Sequence, residues 1–218
     1  MPHKNAILPL LDDLSEAAAL CGSVNTVVND HEKLIGHTTD GIGFVRALGE
    51  AGFPIKEKTV TLLGGGGAAE SVLTQLSLEG VAKISVFKRE NATFPRTAAF
   101  AEKVSLHTGT PIAVCPMEDT SLLRETLRAS DLLINATNVG MAPQEGKSLI
   151  PAEDLFPELF VSDLIYHPME TRLLADARKI GCPTMNGLPM LLYQGAEAFR
   201  IWTGKEMPLD PVKQAICI

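Results

Sequence analysis

The sequence predicts an α/β protein in which a doubly wound parallel sheet is covered by helices. Residues 59–63 are β-branched or apolar, as in a buried strand, and they end in the four glycines Gly64 to Gly67. An apolar stripe with helical spacing follows, and a second strand pattern, KISVFK, begins at Lys83. Beyond it, short apolar segments alternate with helical patterns as far as residue 202. Such alternation is typical of parallel strands joined by crossover helices.

The same patterns predict the individual elements. Strands are predicted at residues 24–29, 33–36, 59–63, 83–88, 112–115, 132–135, 160–164 and 184–185. Helices are predicted at residues 9–20, 48–52, 72–78, 97–104, 121–129, 170–180, 190–202 and 211–216. A turn at residues 29–30 separates the first two strands, so we expect them to form a hairpin.

The composition argues against several classes of protein. The chain of 218 residues has a net charge of −7 and a pI near 5.2, which argues against nucleic acid or an anionic membrane as a partner. No apolar run approaches the roughly 20 residues that span a bilayer. The N-terminal residues lack the order of a secretory signal. The four cysteines are scattered without a C-x-x-C pair, so we expect reduced thiols, a cytoplasmic location and no metal site.

The glycine run predicts a cofactor site. Gly64, Gly66 and Ala69 fit the G-x-G-x-x-G/A fingerprint of a dinucleotide-binding βαβ unit. Glycines allow a tight strand-to-helix turn and let the backbone approach a pyrophosphate, and the start of the helix adds its positive dipole end. We predict that the cofactor contacts Gly64, Gly65, Gly66, Gly67, Ala68 and Ala69. The alternative is a plain glycine-rich turn.

Further motifs occur in an order that is typical of one family. They are residues 1–4 (MPHK), 22–26 (GSVNT), 39–44 (TDGIGF), 135–141 (NATNVGM), 163–174 (DLIYHPMETRLL) and 194–196 (QGA). Together they resemble the shikimate dehydrogenase family, and the ending WTGKEMPLDPVKQ is more similar to its quinate/shikimate dehydrogenase branch. The resemblance implies a Rossmann-type nucleotide domain beside a smaller substrate domain. It also implies reversible hydride transfer between NAD(P) and a ring hydroxyl of shikimate or quinate, which gives the 3-dehydro ketone.

The resemblance assigns the proton chemistry to Lys4 and Asp40, which occupy the positions of the family's catalytic lysine and aspartate. A hydroxyl proton must leave as hydride departs, so a positioned acid/base group accelerates the reaction. Without the resemblance, Lys4 would be a solvated lysine and Asp40 a helix N-cap, and both alternatives stay open. Thr38 stands where the family usually has asparagine.

The other site residues follow from the same resemblance. The expected substrate ligands are Asn25, Thr26, Tyr166 and Gln194, and the expected further cofactor contacts are Asn135, Thr137, Gly187 and Met190. Each polar residue has a structural alternative as a strand-edge or helix-surface side chain. For Tyr166 and Met190 the alternative is core packing.

The segment after the second strand of the nucleotide domain selects the cofactor. An acidic residue at that strand's end favours the 2′-hydroxyl of NAD, whereas arginine accommodates the 2′-phosphate of NADP. This chain has Lys88 and Arg89 there, followed by Glu90, Asn91 and Arg96. Lys88, and Asn91 in place of the aspartate of quinate-type members, favour NADP, whereas Glu90 favours NAD. We expect NADP, with NAD left open.

Members of the family carry an N-terminal substrate-binding segment before the motif that ends in Pro-His-Lys. We therefore expect a partial substrate domain at residues 1–53, an NAD(P)-binding domain at 54–186 and C-terminal helices at 187–218 that return to the substrate domain. Lys4 would lie at a frayed terminus, and the strand at 24–28 would have an open edge that a homodimer could cover. The alternative function is an NAD(P)-binding module with little or no turnover.

Overall fold

The N-terminal part of the protein is a three-stranded sheet with two helices. The computed structural model describes residues 3–215 of the chain. The elements of the N-terminal part are β1 (Asp13–Leu14), α1 (Glu16–Cys21), β2 (Thr26–Asp30), β3 (Lys33–His37) and α2 (Asp40–Glu50). The strand order is β1-β3-β2, with β1 parallel and β2 antiparallel to β3. The predicted hairpin is confirmed, although its turn lies at His31 and Glu32, whose φ angles are +49° and +71°. Within residues 3–215, β2 pairs with β3 alone, so its other edge has no neighbouring strand, as expected. The carbonyl of Val27 in β2 accepts 3.0 Å from the indole N–H of Trp202.

The single helix predicted at residues 9–20 is wrong. The segment instead forms a 3-10 turn at Leu8–Leu10, then β1, and only then α1. Sheet pairing overrides the apolar periodicity here, since the backbone N–H groups of Asp12 and Ser15 donate to the carbonyls of Leu34 and Gly36 in β3. Ser15 then begins the helix, because its hydroxyl accepts a hydrogen bond of 3.3 Å from the N–H of Ala18.

The larger part of the chain forms a six-stranded sheet and its helices. Its elements are β4 (Thr59–Leu63), α3 (Gly67–Leu78), β5 (Lys83–Lys88), α4 (Phe94–Thr108), β6 (Ile112–Pro116), α5 (Thr120–Arg128), β7 (Leu132–Asn135), β8 (Phe160–Asp163), α6 (Arg172–Ile180), β9 (Thr184–Met185), α7 (Leu188–Thr203) and α8 (Leu209–Ala215). The strand order is β6-β5-β4-β7-β8-β9 and every pair is parallel. This order confirms the predicted doubly wound, Rossmann-type sheet. The order in which the chain adds strands reverses between β4 and β7. Sheets of this type bind ligands at such a point, outside the carboxyl ends of the strands.

The predicted strands of the large sheet agree with the structure to within one residue, but the helix ends do not. Helix α4 covers residues 94–108 instead of 97–104. Helix α6 begins at Arg172, two residues later than predicted, because the hydroxyl of Thr171 accepts from the N–H of Leu174 and forms the N-cap. Helix α2 begins at Asp40, well before the predicted helix at 48–52. Residue 216, in the last predicted helix, lies outside the described residues.

Helix α2 connects the small sheet to the large one. Its Phe44 and Leu48 are fully buried in the same apolar core as Val60 of β4 and Leu76 of α3. A second core, centred on Leu133, Leu159 and Leu174, lies below the other face of the large sheet. Because α2 belongs to the first core, the position of Asp40 at its start is tied to the packing of the nucleotide-binding sheet.

Three other features are defined within residues 3–215. Cys21, Cys115 and Cys182 are free thiols in this range, whereas Cys217 lies outside it. No helix in this range has the length and apolar character that a membrane crossing requires. The same residues contain no group of three or more His, Cys, Asp or Glu side chains placed to hold a metal ion.

Candidate functional site

A cavity of about 700 Å³ lies at the carboxyl ends of β4, β5 and β7. The glycine turn after β4 forms one wall, with Gly64, Gly65 and Gly66 on its surface. Gly64 has a φ of +111°, a backbone conformation that favours glycine, and its N–H donates 2.9 Å to the carbonyl of Phe87. Helix α3 starts directly after the turn and has no side-chain cap at Gly66. Its first N–H groups and positive dipole end are therefore available to an anion in the cavity.

Ala69 completes the fingerprint from the buried side of α3. Only 2% of its surface is exposed, and it packs in the first core against the large sheet. The small side chain thus serves helix packing, as the fingerprint predicts. Gly67 and Ala68 are exposed at the start of the helix and do not line the cavity.

A second wall of the cavity, beside the glycine turn, is cationic. Lys88, Arg89 and Arg96 all line it. The ammonium of Lys88 donates to the side-chain oxygens of Asn91 (3.2 Å) and Thr93 (2.7 Å), which fixes the loop between β5 and α4. Positive charge without an acidic side chain among the lining residues suits a ligand with a phosphate at this end.

The loop after β7 forms the third wall and is held by a buried network. Nδ2 of Asn135 donates 3.0 Å to Oδ1 of Asp163, and the side-chain Oδ1 of Asn135 accepts from the N–H and the hydroxyl of Thr137. Burial raises the pKa of Asp163, although hydrogen bonds from Thr171, Ile165 and Asn135 oppose the rise. Thr137 lines the cavity, whereas Asn135 supports it from below. The two predicted cofactor residues of this loop are therefore hydrogen-bonded to each other, but only Thr137 lies on the surface of the cavity.

A polar cluster forms at the start of α2. It consists of Lys4, Asn25, Thr26, Thr39, Asp40 and Gln194. The ammonium of Lys4 lies 2.5 Å from Oδ2 of Asp40, and Nδ2 of Asn25 donates 2.9 Å to Oδ1. The side chains of Lys4 and Asp40 are 24% and 16% exposed, so the pair is partly open to solvent. An ammonium and a carboxylate in contact can take a proton from a hydroxyl placed beside them, or return it to the oxygen of the corresponding ketone.

The position expected for Lys4, at a frayed terminus, is wrong. Its carbonyl accepts a hydrogen bond of 2.9 Å from the N–H of Val24, and its ammonium is bound to Asp40. Asn5 adds a side-chain hydrogen bond to the carbonyl of Gly22. The lysine is therefore fixed by contacts to the β2 and α2 regions.

Thr39 joins the remaining members of the polar cluster. Its hydroxyl lies 3.2 Å from Oδ1 of Asn25 and 3.3 Å from Oε1 of Gln194, and the residue is fully buried. Oδ1 of Asn25 also accepts from the hydroxyl of Thr26, which is 2% exposed. The structure thus brings Gln194 from α7 to Asp40 and Asn25, and it places Thr26 behind Asn25.

Close backbone packing connects this polar cluster to the cavity. Gly41 of α2 lies so near α3 that a Cβ atom there would be 2.5 Å from the carbonyl oxygen of Ser71. A Cβ at Gly43 would be 2.5 Å from the backbone nitrogen of Gln194. The two glycines allow one helix to contact both α3 and α7. The position of Asp40 is thereby fixed relative to the helix that begins at the glycine turn.

The other predicted residues lie along the start of α7 and the loop after β8. Tyr166 is 50% exposed on that loop. The N–H of Gly187 donates 3.0 Å to the carbonyl of Ile165, the residue before Tyr166. Met190 packs against the first core from the first turn of α7. These three residues lie together near the carboxyl end of β8 and do not line the cavity.

Three residues with marked environments were not among the predicted site residues. Thr39 and Asp163 belong to the motifs TDG and DLIYHP, so their positions in the sequence indicated a role without defining it. Glu70 directly follows the fingerprint alanine and is buried, 7% exposed. An acid directly after the fingerprint alanine was the signal for this residue.

The comparisons with known proteins agree with this geometry. The family model described as shikimate / quinate 5-dehydrogenase matches residues 47–144, and the shikimate 5′-dehydrogenase C-terminal domain matches residues 187–217. A relative named shikimate dehydrogenase (NADP(+)), from Listeria innocua, is 48% identical over 99% of this chain and 75% of its own length.

Two solved structures extend the similarity. The Listeria monocytogenes shikimate 5-dehydrogenase, in complex with shikimate and NAD, has a TM-score of 0.97 at 48% identity, over 99% of this chain and 75% of that one. The quinate dehydrogenase of Corynebacterium glutamicum, in complex with NAD, has a TM-score of 0.87 at 33% identity, over the same shares of the two chains.

Proposed function

Since the chain belongs to the shikimate/quinate 5-dehydrogenase family, we propose that it is an NADP-dependent shikimate dehydrogenase. It would interconvert shikimate and 3-dehydroshikimate by hydride transfer. The relative that is 48% identical is named for shikimate and NADP(+), whereas the quinate dehydrogenase is 33% identical. Shikimate is therefore the first choice of substrate, and quinate is the comparison.

The observation that carries the proposal is that α2 packs between two sites and connects them. At the first site, the glycine turn and the cationic wall of the cavity fit a phosphorylated dinucleotide. At the second site, Lys4 and Asp40 form an acid/base pair, and Asn25 donates a hydrogen bond to Asp40. The packing of Gly41 against α3 sets the distance between the two sites.

The residues present fit the nicotinamide cofactor that the family implies. The backbone N–H groups of the glycine turn would bind the pyrophosphate, and Arg89 and Arg96 would bind the 2′-phosphate of NADP. When bound, the nicotinamide ring accepts the hydride. Gly187 and Met190 would pack beside that ring at the start of α7.

The polar cluster supports a role in orienting the substrate and moving its proton. Gln194 and Asn25 would bind the ring hydroxyls, and Tyr166 would close the outer side. Lys4 and Asp40 share a hydrogen-bonded contact, so the pair would take up the hydroxyl proton during oxidation and return it during reduction. Thr26 and Thr39 would hold the amides of Asn25 and Gln194 in position.

The test is the reduction of NADP+ by purified protein with shikimate, with quinate in parallel. Positioned acid/base groups contribute about 100-fold or more to rate, so Lys4→Ala and Asp40→Asn should each lower kcat by at least that factor. Lys58 and Asp131 offer a matched control, because they form a comparable ion pair of 3.0 Å at the opposite ends of the strands. Lys58→Ala and Asp131→Asn should leave kcat within about twofold.

The results separate the alternatives. Equal rates in the wild type, Lys4→Ala and Asp40→Asn would contradict the roles assigned to the pair. NADP+ binding without turnover of either shikimate or quinate would contradict the proposed activity and support an NAD(P)-binding module. A higher kcat/KM for quinate than for shikimate would reverse the choice of substrate.

We also propose the domain division at residues 1–53, 54–186 and 187–218. The two separate sheets support it, since one lies within residues 13–37 and the other within residues 59–185. The edge of β2 that has no neighbouring strand supports a homodimer, for which light scattering across a dilution series is the measurement. Free thiols at Cys21, Cys115 and Cys182 support a cytoplasmic location.

A further inference from the structure

Glu70 is a buried acid that the catalytic proposal does not use. It lies in the first turn of α3, four residues after Gly66, and its side chain is 8% exposed. Acidic side chains are almost never buried to this extent without a partner. Burial raises the pKa of Glu70, and the positive charge of Arg96 opposes that rise. The charge of Arg96 therefore offsets part of the cost of burying the carboxylate.

Arg96 has the opposite environment. Its side chain is 71% exposed, and it lines the cavity beside Lys88 and Arg89. One of its nitrogens, Nη2, lies 3.3 Å from Oε1 and 3.5 Å from Oε2 of Glu70. An exposed arginine has many conformations, and this contact with a buried acid selects one of them.

The geometry of the contact leaves Arg96 able to bind a second anion. A guanidinium carries five N–H donors, and the bonds to Glu70 involve Nη2 alone. The donors on Nε and Nη1 are not engaged by Glu70. Lys88 differs, because its ammonium already binds Asn91 and Thr93. Arg96 is thus a positioned cation with donors to spare on the wall where a 2′-phosphate would lie.

We propose that Glu70 is a positioning residue that holds Arg96 on the cavity wall for the 2′-phosphate, and so sets the preference for NADP over NAD. The inference rests on the proposed function, because it requires a dinucleotide in the cavity. Glu70 itself does not touch the cofactor. Its effect passes through Arg96 and concerns only a ligand that carries the extra phosphate.

The experiment measures the Kd of NADP+ and of NAD+ by calorimetry, without turnover. Coupling between residues in contact changes an equilibrium constant by a factor of roughly 2 to 150, and fivefold lies toward the lower end of that range. Glu70→Gln should therefore weaken NADP+ binding by about fivefold and leave the Kd of NAD+ within twofold. In an Arg96→Ala background, Glu70→Gln should have no further effect. Glu102→Gln, an exposed acid on α4, is the matched control and should change neither Kd.

Each contrary result has a defined meaning. A parallel change in both Kd values would mean that Glu70 has a structural role only. An undiminished effect of Glu70→Gln in the Arg96→Ala background would mean that Glu70 does not act through Arg96. Tighter binding of NADP+ would mean that Glu70 competes with the phosphate, which also overturns the inference. Wild-type protein that binds neither dinucleotide would overturn the inference and the proposed function together. Glu70→Met, which removes the buried charge at similar volume, provides a second variant if Glu70→Gln fails to fold.

Discussion

Thr39 is the residue on which the polar cluster depends most. Its single hydroxyl proton is shared between Asn25 and Gln194, which come from different parts of the chain. Both amides belong to the proposed substrate site, and the hydroxyl is fully buried between them. A change confined to this hydroxyl therefore tests whether the orientation of the amides matters for the reaction.

We expect Thr39→Val, which keeps the shape of the side chain, to lower kcat/KM for shikimate by about tenfold. The reason is that Oε1 of Gln194 loses its hydroxyl donor, at a cost of roughly 1–3 kcal/mol, whereas Oδ1 of Asn25 keeps the N–H of Thr39 and the hydroxyl of Thr26. Thr39→Ser keeps the hydroxyl and should stay within about threefold of the wild type. Steady-state kinetics with both variants is the measurement, and equal values for Val and Ser would contradict this role.

For single residues, the sequence indicated which residues belong to the site more reliably than it indicated where their side chains lie. The motifs indicated Lys4, Asp40, Asn25 and Gln194, and the structure brings these four together. They did not indicate that Thr26 is buried behind Asn25, because burial depends on how β2 pairs with β3. The Glu70–Arg96 contact also depends on the packing of α3 against α4, which no local pattern reveals.

Helix α2 is the element that connects the site to the fold. It packs against α3 through Gly41 and against α7 through Gly43. Gly49, in the same helix, has no atom within 4 Å of the position of a Cβ. The helix thus contains its own control for glycine substitution, since one glycine is required by packing and another is not.

We expect Gly43→Ala to lower the free energy of unfolding by about 1–3 kcal/mol, because the new methyl group would overlap the backbone of Gln194. Gly49→Ala should raise it by about 0.5–1 kcal/mol, since alanine is the better helix former and meets no neighbour. Urea unfolding of both variants is the measurement. A stabilised Gly43→Ala protein would show that α2 and α7 are farther apart than described.

Element prediction succeeded where local pattern and tertiary environment agree. The buried strands β4, β5 and β7 have continuous apolar sequences between clear breakers, and their predicted bounds match the structure. The helix predicted at residues 9–20 failed because residues 12–15 pair with β3, a contact that follows from a segment some 20 residues away. Sheet pairing of this kind is non-local, so a periodicity argument does not detect it.

The stability of the whole molecule includes an acid-sensitive ion pair at the amino ends of the strands. Asp131 precedes β7 and accepts hydrogen bonds from the N–H of Thr59 (2.8 Å) and from Lys58 (3.0 Å). Burial acts to raise the pKa of Asp131, but these two hydrogen bonds and the charge of Lys58 lower it on balance. The pair therefore stabilises the fold above the ordinary pKa of 3.8 and loses this effect as pH falls through the lower, folded value.

We expect Asp131→Asn to lower the free energy of unfolding at pH 7 by about 0.5–1 kcal/mol, a modest value because the pair is partly exposed. The difference from the wild type should shrink as the pH falls below 3.8. Urea unfolding at neutral and acid pH measures both effects, with Glu125→Gln, an exposed acid on α5, as the control. A difference that is constant with pH would mean that lost packing, and not charge, is responsible.

The glycine turn has a consequence for how variation at this site is surveyed. Its contribution to ligand binding comes from peptide groups, which every residue possesses, so trimming side chains there removes nothing. A conventional alanine scan would add an atom at Gly64, where a Cβ would lie 3.0 Å from the carbonyl of Ala136, and would report the damage of that addition. Harmful substitutions in this stretch should accordingly be those that add bulk, and a survey of side-chain truncations would not reveal the backbone groups that we propose bind the pyrophosphate.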